Sequence, residues 1–291
     1  MINRQSTSRI NTRATSRIPA RGYDAPSDAM VLNYELLLSL RKLADAFNGP
    51  VIKVRRSSDN ALQDFYFNTQ GELDTDDILA FVGSGSGFIN TWYDQSGSNF
   101  NATQSTLANQ PMIVNAGVPV QLAGKLSIDF DGTNDTLVTS HVRSHFASIV
   151  TVNNFDDVSG SKSIISNAQL GNLSSSQWSF FTESSAIKLR SAGSSASDAV
   201  KSGLTTLTDY INWACAYAAR NWEVAFNDSE VGSIFASTSI PPVAATIIGG
   251  LLSSPIRILN GRMSEVLIIT DDQRIYREQI IGSINSYFKI F

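Results

Sequence analysis

The chain has one cysteine, Cys215, among 291 residues, and only two histidines, His141 and His145. A single thiol excludes an intrachain disulfide, and no Cys/His spacing suits a zinc site, so no metal or other cofactor is expected. Cys215 lies in the apolar run Tyr210-Ile-Asn-Trp-Ala-Cys-Ala-Tyr217, which predicts a buried structural thiol. No apolar run reaches the ~18 residues of a membrane span, so no membrane partner is expected. The N-terminus lacks a hydrophobic signal core, and secretion by that route is not expected. A protein of this kind working outside a cell would leave by lysis or by assembly into a particle. Charged residues are scarce, at 16%, against ~25% in an average soluble protein. Ser, Thr, Asn and Gly fill the deficit, and these residues of strand edges and turns indicate an all-β chain.

What charge there is lies unevenly. Residues 1–22 hold five arginines (Arg4, Arg9, Arg13, Arg17 and Arg21) and no acid, while the whole chain is −4, so residues 23–291 carry −9. The segment has too few large apolar residues to fold alone. Its arginines return nearly every fourth residue, but Ser/Thr richness and Pro19 oppose a helix. It reads either as a free tail or as an arm that orders on a partner. In the second case Ile10 and Ile18 would insert into apolar pockets, because exposed ion pairs contribute only ~0–1 kcal/mol each.

Beyond the arm, a first helix is predicted. Pro26-Ser27-Asp28 offers a cap, Leu36, Leu40, Leu43 and Phe47 recur at helical spacing, and Asn48-Gly49-Pro50 stops the run. A short second helix is predicted over Thr75 to Val82, capped by Asp74 or Thr75 and ended by Gly83. A final helix is predicted from Gln273 to Tyr287, with Tyr276, Ile280, Ile284 and Tyr287 on its apolar face. Between them the pattern is β. Predicted strands include Val51–Val54, Phe88–Tyr93, Ser127–Phe130, Ile149–Val152, Ser163–Ile165, Trp178–Phe181, Ala186–Leu189, Tyr210–Tyr217, Trp222–Asn227, Thr246–Ile248 and Arg262–Ile269. Turn pairs such as Asp131-Gly132 and Asn260-Gly261 separate several of them, as in a sandwich.

Four segments carry a resemblance. They are Gly49-Pro-Val-Ile-Lys-Val-Arg-Arg-Ser-Ser-Asp-Asn60, Leu79-Ala-Phe-Val-Gly-Ser-Gly-Ser-Gly87, Thr91-Trp-Tyr-Asp-Gln-Ser-Gly97 and Asn101-Ala-Thr-Gln104. Together they resemble the N-terminal part of the catalytic domain of α-L-arabinofuranosidase B, a concanavalin-like β-sandwich that hydrolyses arabinofuranosides with retention. Further on, Ile128-Asp-Phe-Asp-Gly-Thr-Asn-Asp-Thr-Leu137 and Asn260-Gly-Arg-Met-Ser-Glu-Val-Leu-Ile-Ile269 resemble segments of laminin-G-like modules. The resemblance implies a mainly β, concanavalin-like (jelly-roll) sandwich over residues 29–291, with an N-terminal helix, a C-terminal helix and an extended arm over residues 1–28.

A retaining glycosidase needs two carboxyl groups about 5–5.5 Å apart. The resemblance places the acid/base aspartate after a Gly-Gly pair, and here Gly249-Gly250 is followed by Leu251. No acid occurs between Glu230 and Glu265, and the nearest candidate nucleophile, Glu183, lacks the family's surrounding motif. The family's adjacent cysteine pair is impossible with one cysteine. No catalytic residue is therefore assigned, and the chain is expected not to be an enzyme. Asp129, Asp131 and Asp135 miss the spacing of an EF-hand and read as a self-bonded hairpin turn. Gly83-Ser-Gly-Ser-Gly87 lacks the Lys-Ser/Thr of a phosphate loop. Asp94 reads as a turn former, and His141 and His145 lack a nucleophile-elbow motif. Trp92 and Trp178 are the candidates for stacking on a glycan, with core packing as the competing reading.

Proteins joining these two halves are associated with phage virions. The resemblance thus implies a structural protein of a bacteriophage particle, as capsid decoration, fibre or tail component. Its arm residues Arg4, Arg9, Ile10, Arg13, Arg17, Ile18 and Arg21 would dock on other virion proteins, and a homo-oligomer is expected. The alternatives are a carbohydrate-binding adhesin for host-surface glycans and an active arabinofuranosidase. The acidic body argues against nucleic acid as the main partner.

Overall fold

The computed structural model describes residues 16–17, 31–142, 147–167, 178–191, 198–217, 221–232, 235–236, 245–251 and 257–291. Its strands pair antiparallel throughout and divide into two stacked sheets. The first runs, in hydrogen-bonded order, Tyr34–Ser39, Asn260–Thr270, Ala147–Asn154, Asp209–Tyr217 and Asn221–Phe226. The second begins Leu62–Phe65, Ile52–Arg56, Gly87–Trp92, Ala102–Thr103 and Leu137–Val138. It continues Thr246–Ile248, Lys162–Asn167, Trp178–Glu183, Ala186–Ser191 and Asp198–Ser202. Met112–Asn115 and Ile128–Asp131 carry the pairing from one sheet to the other. The mainly β sandwich expected from composition and turn spacing is therefore the observed fold.

Two cores flank the first sheet. Leu36, Ile149, Val266 and Ile268 face the second sheet, while Leu37, Val150, Trp213 and Leu267 face the C-terminal helix. Burial on both faces explains why these strands read as unbroken apolar runs. It also corrects the predicted first helix. Tyr34–Ser39 is a strand, and Leu36, Leu37 and Leu38 are all fully buried. A strand between two layers buries consecutive residues, and this two-sided burial overrides the helical spacing of Leu36, Leu40, Leu43 and Phe47.

The other helices follow their signals more closely. Helix α1 spans Thr75–Val82; the Asp74 carboxylate accepts from the N–H groups of Asp76 and Asp77, and Gly83 ends it at φ +65°. Helix α2 spans Arg277–Phe288 after a 3₁₀ turn at Arg274–Tyr276. Its buried face is Ile280, Ile281, Ile284 and Phe288, whereas Tyr276, expected on that face, is 41% exposed. The 3₁₀ turn breaks the α periodicity and turns Tyr276 outward.

Within the arm, Ser16–Arg17 pairs antiparallel with Val31–Leu32 of the same chain. Arg4, Arg9, Ile10, Arg13, Ile18 and Arg21 lie outside the described residues.

Candidate functional site

The motifs that carry the family resemblance form joints of the scaffold. Asp94 is 3% exposed, and its carboxylate accepts from the N–H groups of Leu37, Ser96 and Phe100 and from the Ser96 hydroxyl. Gln95 accepts from the Leu43 N–H and donates to the carbonyls of Ser39 and Arg41. The Tyr-Asp-Gln-Ser-Gly stretch thus ties its loop to the first strand. Arg55 is equally occupied, donating to Gln110 at 2.6 Å, Asn60 at 2.8 Å and the Leu107 carbonyl while lying over Phe88. Arg56 grips Asp59 through two nitrogens at 2.8 and 2.7 Å. Asp131 accepts from the N–H groups of Thr133, Asn134 and Asp135, so the aspartate-rich turn bonds its own backbone. No group of acids, histidines or cysteines among the described residues is arranged to hold a metal.

At the position where the resemblance placed a proton donor, the backbone is set by packing. Gly249 has φ +78°, and a side chain there would collide with the Phe130 ring. Leu251 is 2% exposed and lies opposite Arg257 in a short ladder. Ser166 donates to the Gly250 carbonyl at 2.6 Å, joining this ladder to the Lys162–Asn167 strand.

Beside that ladder, the outward face of the second sheet carries a charged cluster. Strand alternation creates it: Trp178 and Phe180 point into the core, so Ser179, Phe181 and Glu183 point out. Likewise Ile187 and Leu189 point in, leaving Lys188 and Arg190 outward. Register places Lys188 opposite Phe181, and Asp198 opposite Arg190. Arg190 holds Asp198 in a two-pronged pair with both N–O distances 2.7 Å. Its Nη2 also lies 3.9 Å from Glu183, so two carboxylates share one guanidinium. Glu183 accepts from Lys188 at 2.8 Å and from the Ser161 hydroxyl at 2.6 Å. These two hydrogen bonds hold its pKa down to about 2, so it is ionised in ordinary buffers. Arg190 and Arg257 lie 4.8 and 5.0 Å from the Phe181 ring centroid, and that outward ring is fully buried under its neighbours.

Arg257 differs from the other cations. It is 8% exposed, and its Nε is buried without a hydrogen-bond partner. Burial, and then the nearby charge of Arg190, push its pKa down, while the more weakly felt carboxylates of Glu183 and Asp198 oppose the shift. Only Glu183 of this group was named from the sequence. Alternation in Ala186-Ile-Lys-Leu-Arg190 signals outward cations, but nothing local marks Arg257.

The two candidate stacking residues are elsewhere. Trp92 is 0% and Trp178 4% exposed, both within the inter-sheet core. Their strand positions point inward, which corrects their assignment as glycan platforms. His141 is buried between Thr246 at 3.0 Å and Glu35 at 3.2 Å; Thr246 is itself fully buried and open to no substrate. His145 lies outside the described residues. Cys215 is fully buried as expected, with burial raising its thiol pKa to about 12.

No protein-family model and no curated protein matches this chain. Solved structures do. An arabinofuranosidase complexed with arabinofuranosyl-α-1,2-xylobiose has a TM-score of 0.69 at 15% identity over 86% of this chain. A GH54 α-L-arabinofuranosidase soaked with a cyclic sulfate inhibitor has a TM-score of 0.67 at 16% identity over 88% of this chain. The chain spans 62% of the length of each of those proteins. These likenesses show a shared fold, of the kind expected from the quoted motifs. They also correct the expectation that the chain is not an enzyme. That expectation rested on Leu251, on the missing motif around Glu183 and on the single cysteine, whereas these two solved structures, with TM-scores of 0.69 and 0.67, are enzymes.

Proposed function

We propose that this protein engages carbohydrate through the outward face around Glu183, Lys188, Arg190 and Arg257. The observation that carries the reading is the cluster itself. Charged hydrogen-bonding groups lie beside the Leu251–Arg257 ladder, on a sandwich shared with sugar-processing proteins. Ionised side chains held by neighbours present fixed donors and acceptors, which suit the hydroxyls of a sugar ring. A carboxylate kept ionised, as Glu183 is, meets the first requirement for a glycosidase nucleophile.

The test is a glycan array followed by titration calorimetry. Hydrolysis of an aryl α-L-arabinofuranoside is followed on the same protein, with Glu183→Gln as its control. Binding that weakens when Lys188 is changed to Ala supports the reading. Failure of the wild-type protein to bind any glycan overturns it.

The charge asymmetry favours a second proposal, about placement. The arm over residues 1–28 docks the protein on a bacteriophage particle, where several copies add avidity. Its support is the run of five arginines without an acid in residues 1–22. Deleting residues 1–22 is expected to abolish incorporation into particles while leaving a folded remainder. Normal incorporation of the truncated protein sinks this proposal.

A further inference from the structure

Among the described residues, three cations and two carboxylates meet on this face. Lys188 is matched by Glu183 at 2.8 Å, and Arg190 by Asp198 at 2.7 Å. Arg257 is left over: among the described residues it has no ion pair, and its Nε is sealed from solvent without an acceptor. A guanidinium does not escape this by losing its proton. An unmatched buried charge is costly, and such a site gains most from an anion that neutralises it.

We propose that Arg257 anchors the carboxylate of an acidic sugar, of the uronic or sialic acid kind, on this outward face. The inference rests on reading the face as a carbohydrate site, and it names the class of sugar. The excess is a single positive charge, which fits one monoanion. The neighbouring pair supplies the chemistry: Arg190 receives Asp198 fork to fork through Nε and Nη2, and at Arg257, whose Nε is sealed, the two Nη groups are the ones a planar carboxylate can meet. Lys188 and Glu183 are the more open groups, with side chains 17% and 32% exposed, and meet the ring hydroxyls at the rim. Phe181 beneath both guanidiniums keeps Arg257 in place.

The experiment uses an array of oligosaccharides bearing uronic or sialic acids. Each is printed beside the same compound with its carboxyl reduced to an alcohol, and beside neutral and sulfated glycans. The full chain should bind the acidic member of a pair at least about tenfold more tightly, the range of a hydrogen bond to a charged group. Arg257→Gln should erase that difference, and Arg257→Lys, which keeps the charge and loses the fork, should lose most of it. Because Arg257→Gln removes an unmatched buried cation, its melting temperature should equal or exceed that of wild type. If it falls, Arg257→Met, which keeps an apolar stem over Phe181, replaces it. Equal affinity for the two members of a pair overturns the acidic-sugar proposal while the carbohydrate reading stands. A preference for sulfated glycans alone, or one that survives Arg257→Gln, also overturns it. Binding to no glycan overturns the carbohydrate reading itself.

Discussion

The Asp94 carboxylate accepts the backbone N–H of Leu37 at 3.0 Å, joining residues 57 positions apart. Leu37 sits in the first strand of a sheet buried on both faces, and Asp94 sits in the loop leaving the Gly87–Trp92 strand of the other sheet. The stretch that most resembles a glycosidase therefore joins the two layers of the sandwich.

Changing Asp94 to Ala leaves the buried Leu37 N–H without an acceptor and frees three further donors. The expected loss is about 2–4 kcal/mol, read as a lower urea midpoint at an unchanged slope. Arabinofuranoside hydrolysis, if present, should fall only as far as the folded fraction does.

Asp135 titrates in an unusual range. Burial, and then the charge of Asp131, raise its pKa from 3.8 to about 7. A raised carboxyl favours its protonated form in the folded state. Its contribution is thus greatest below pH 3.8 and is lost as pH climbs through about 7. Asp135→Asn keeps an acceptor for the Asp131 N–H without the charge. It should be more stable than wild type at pH 8, on the order of 1–3 kcal/mol, and indistinguishable from it at pH 3.8. Thermal melts across that range provide the check.

Glu183 runs in the opposite sense. Its pKa is held from 4.5 down to about 2 by Lys188 and Ser161. The stability it contributes is present above pH 4.5 and is lost as pH falls through about 2. The side chain is 32% exposed, so solvent screening limits the effect to about 1 kcal/mol. Melting curves of wild type and Glu183→Gln should differ at pH 6 and converge toward pH 2.

Ile284 and Ile275 separate a packing effect from a surface one. Ile284 is fully buried between α2 and the first sheet, whereas Ile275 is 78% exposed. Ile284→Ala should cost about 2–4 kcal/mol in guanidinium unfolding, and Ile275→Ala less than about 0.5 kcal/mol. Equal losses would mean that α2 does not pack as a layer on the sheet.

Much of the architecture is legible along the chain. Alternating or short apolar runs ended by turn pairs locate the strands from Gly87–Trp92 to Asn260–Thr270. Asp74 and Gly83 bound α1 because capping uses donors and dihedrals within a few residues. Those signals are local, so a linear reading suffices. The Leu36-to-Phe47 segment fails that test. Spacing alone does not show that Leu37 meets a helix some 240 residues away while Leu36 and Leu38 meet the opposite sheet.

The site divides in the same way. Composition and motif determine a mainly β sandwich with one buried thiol and show that Leu251 stands where a proton donor was expected. Only the tertiary structure decides that Trp92 and Trp178 face inward and that Asp94 is a joint. It alone gathers Glu183, Lys188, Arg190, Asp198 and Arg257 on one face and, among the described residues, leaves Arg257 without an ion pair. Whether a charge is matched depends on which groups lie within a few ångströms in space, and that is settled by strand register and sheet packing.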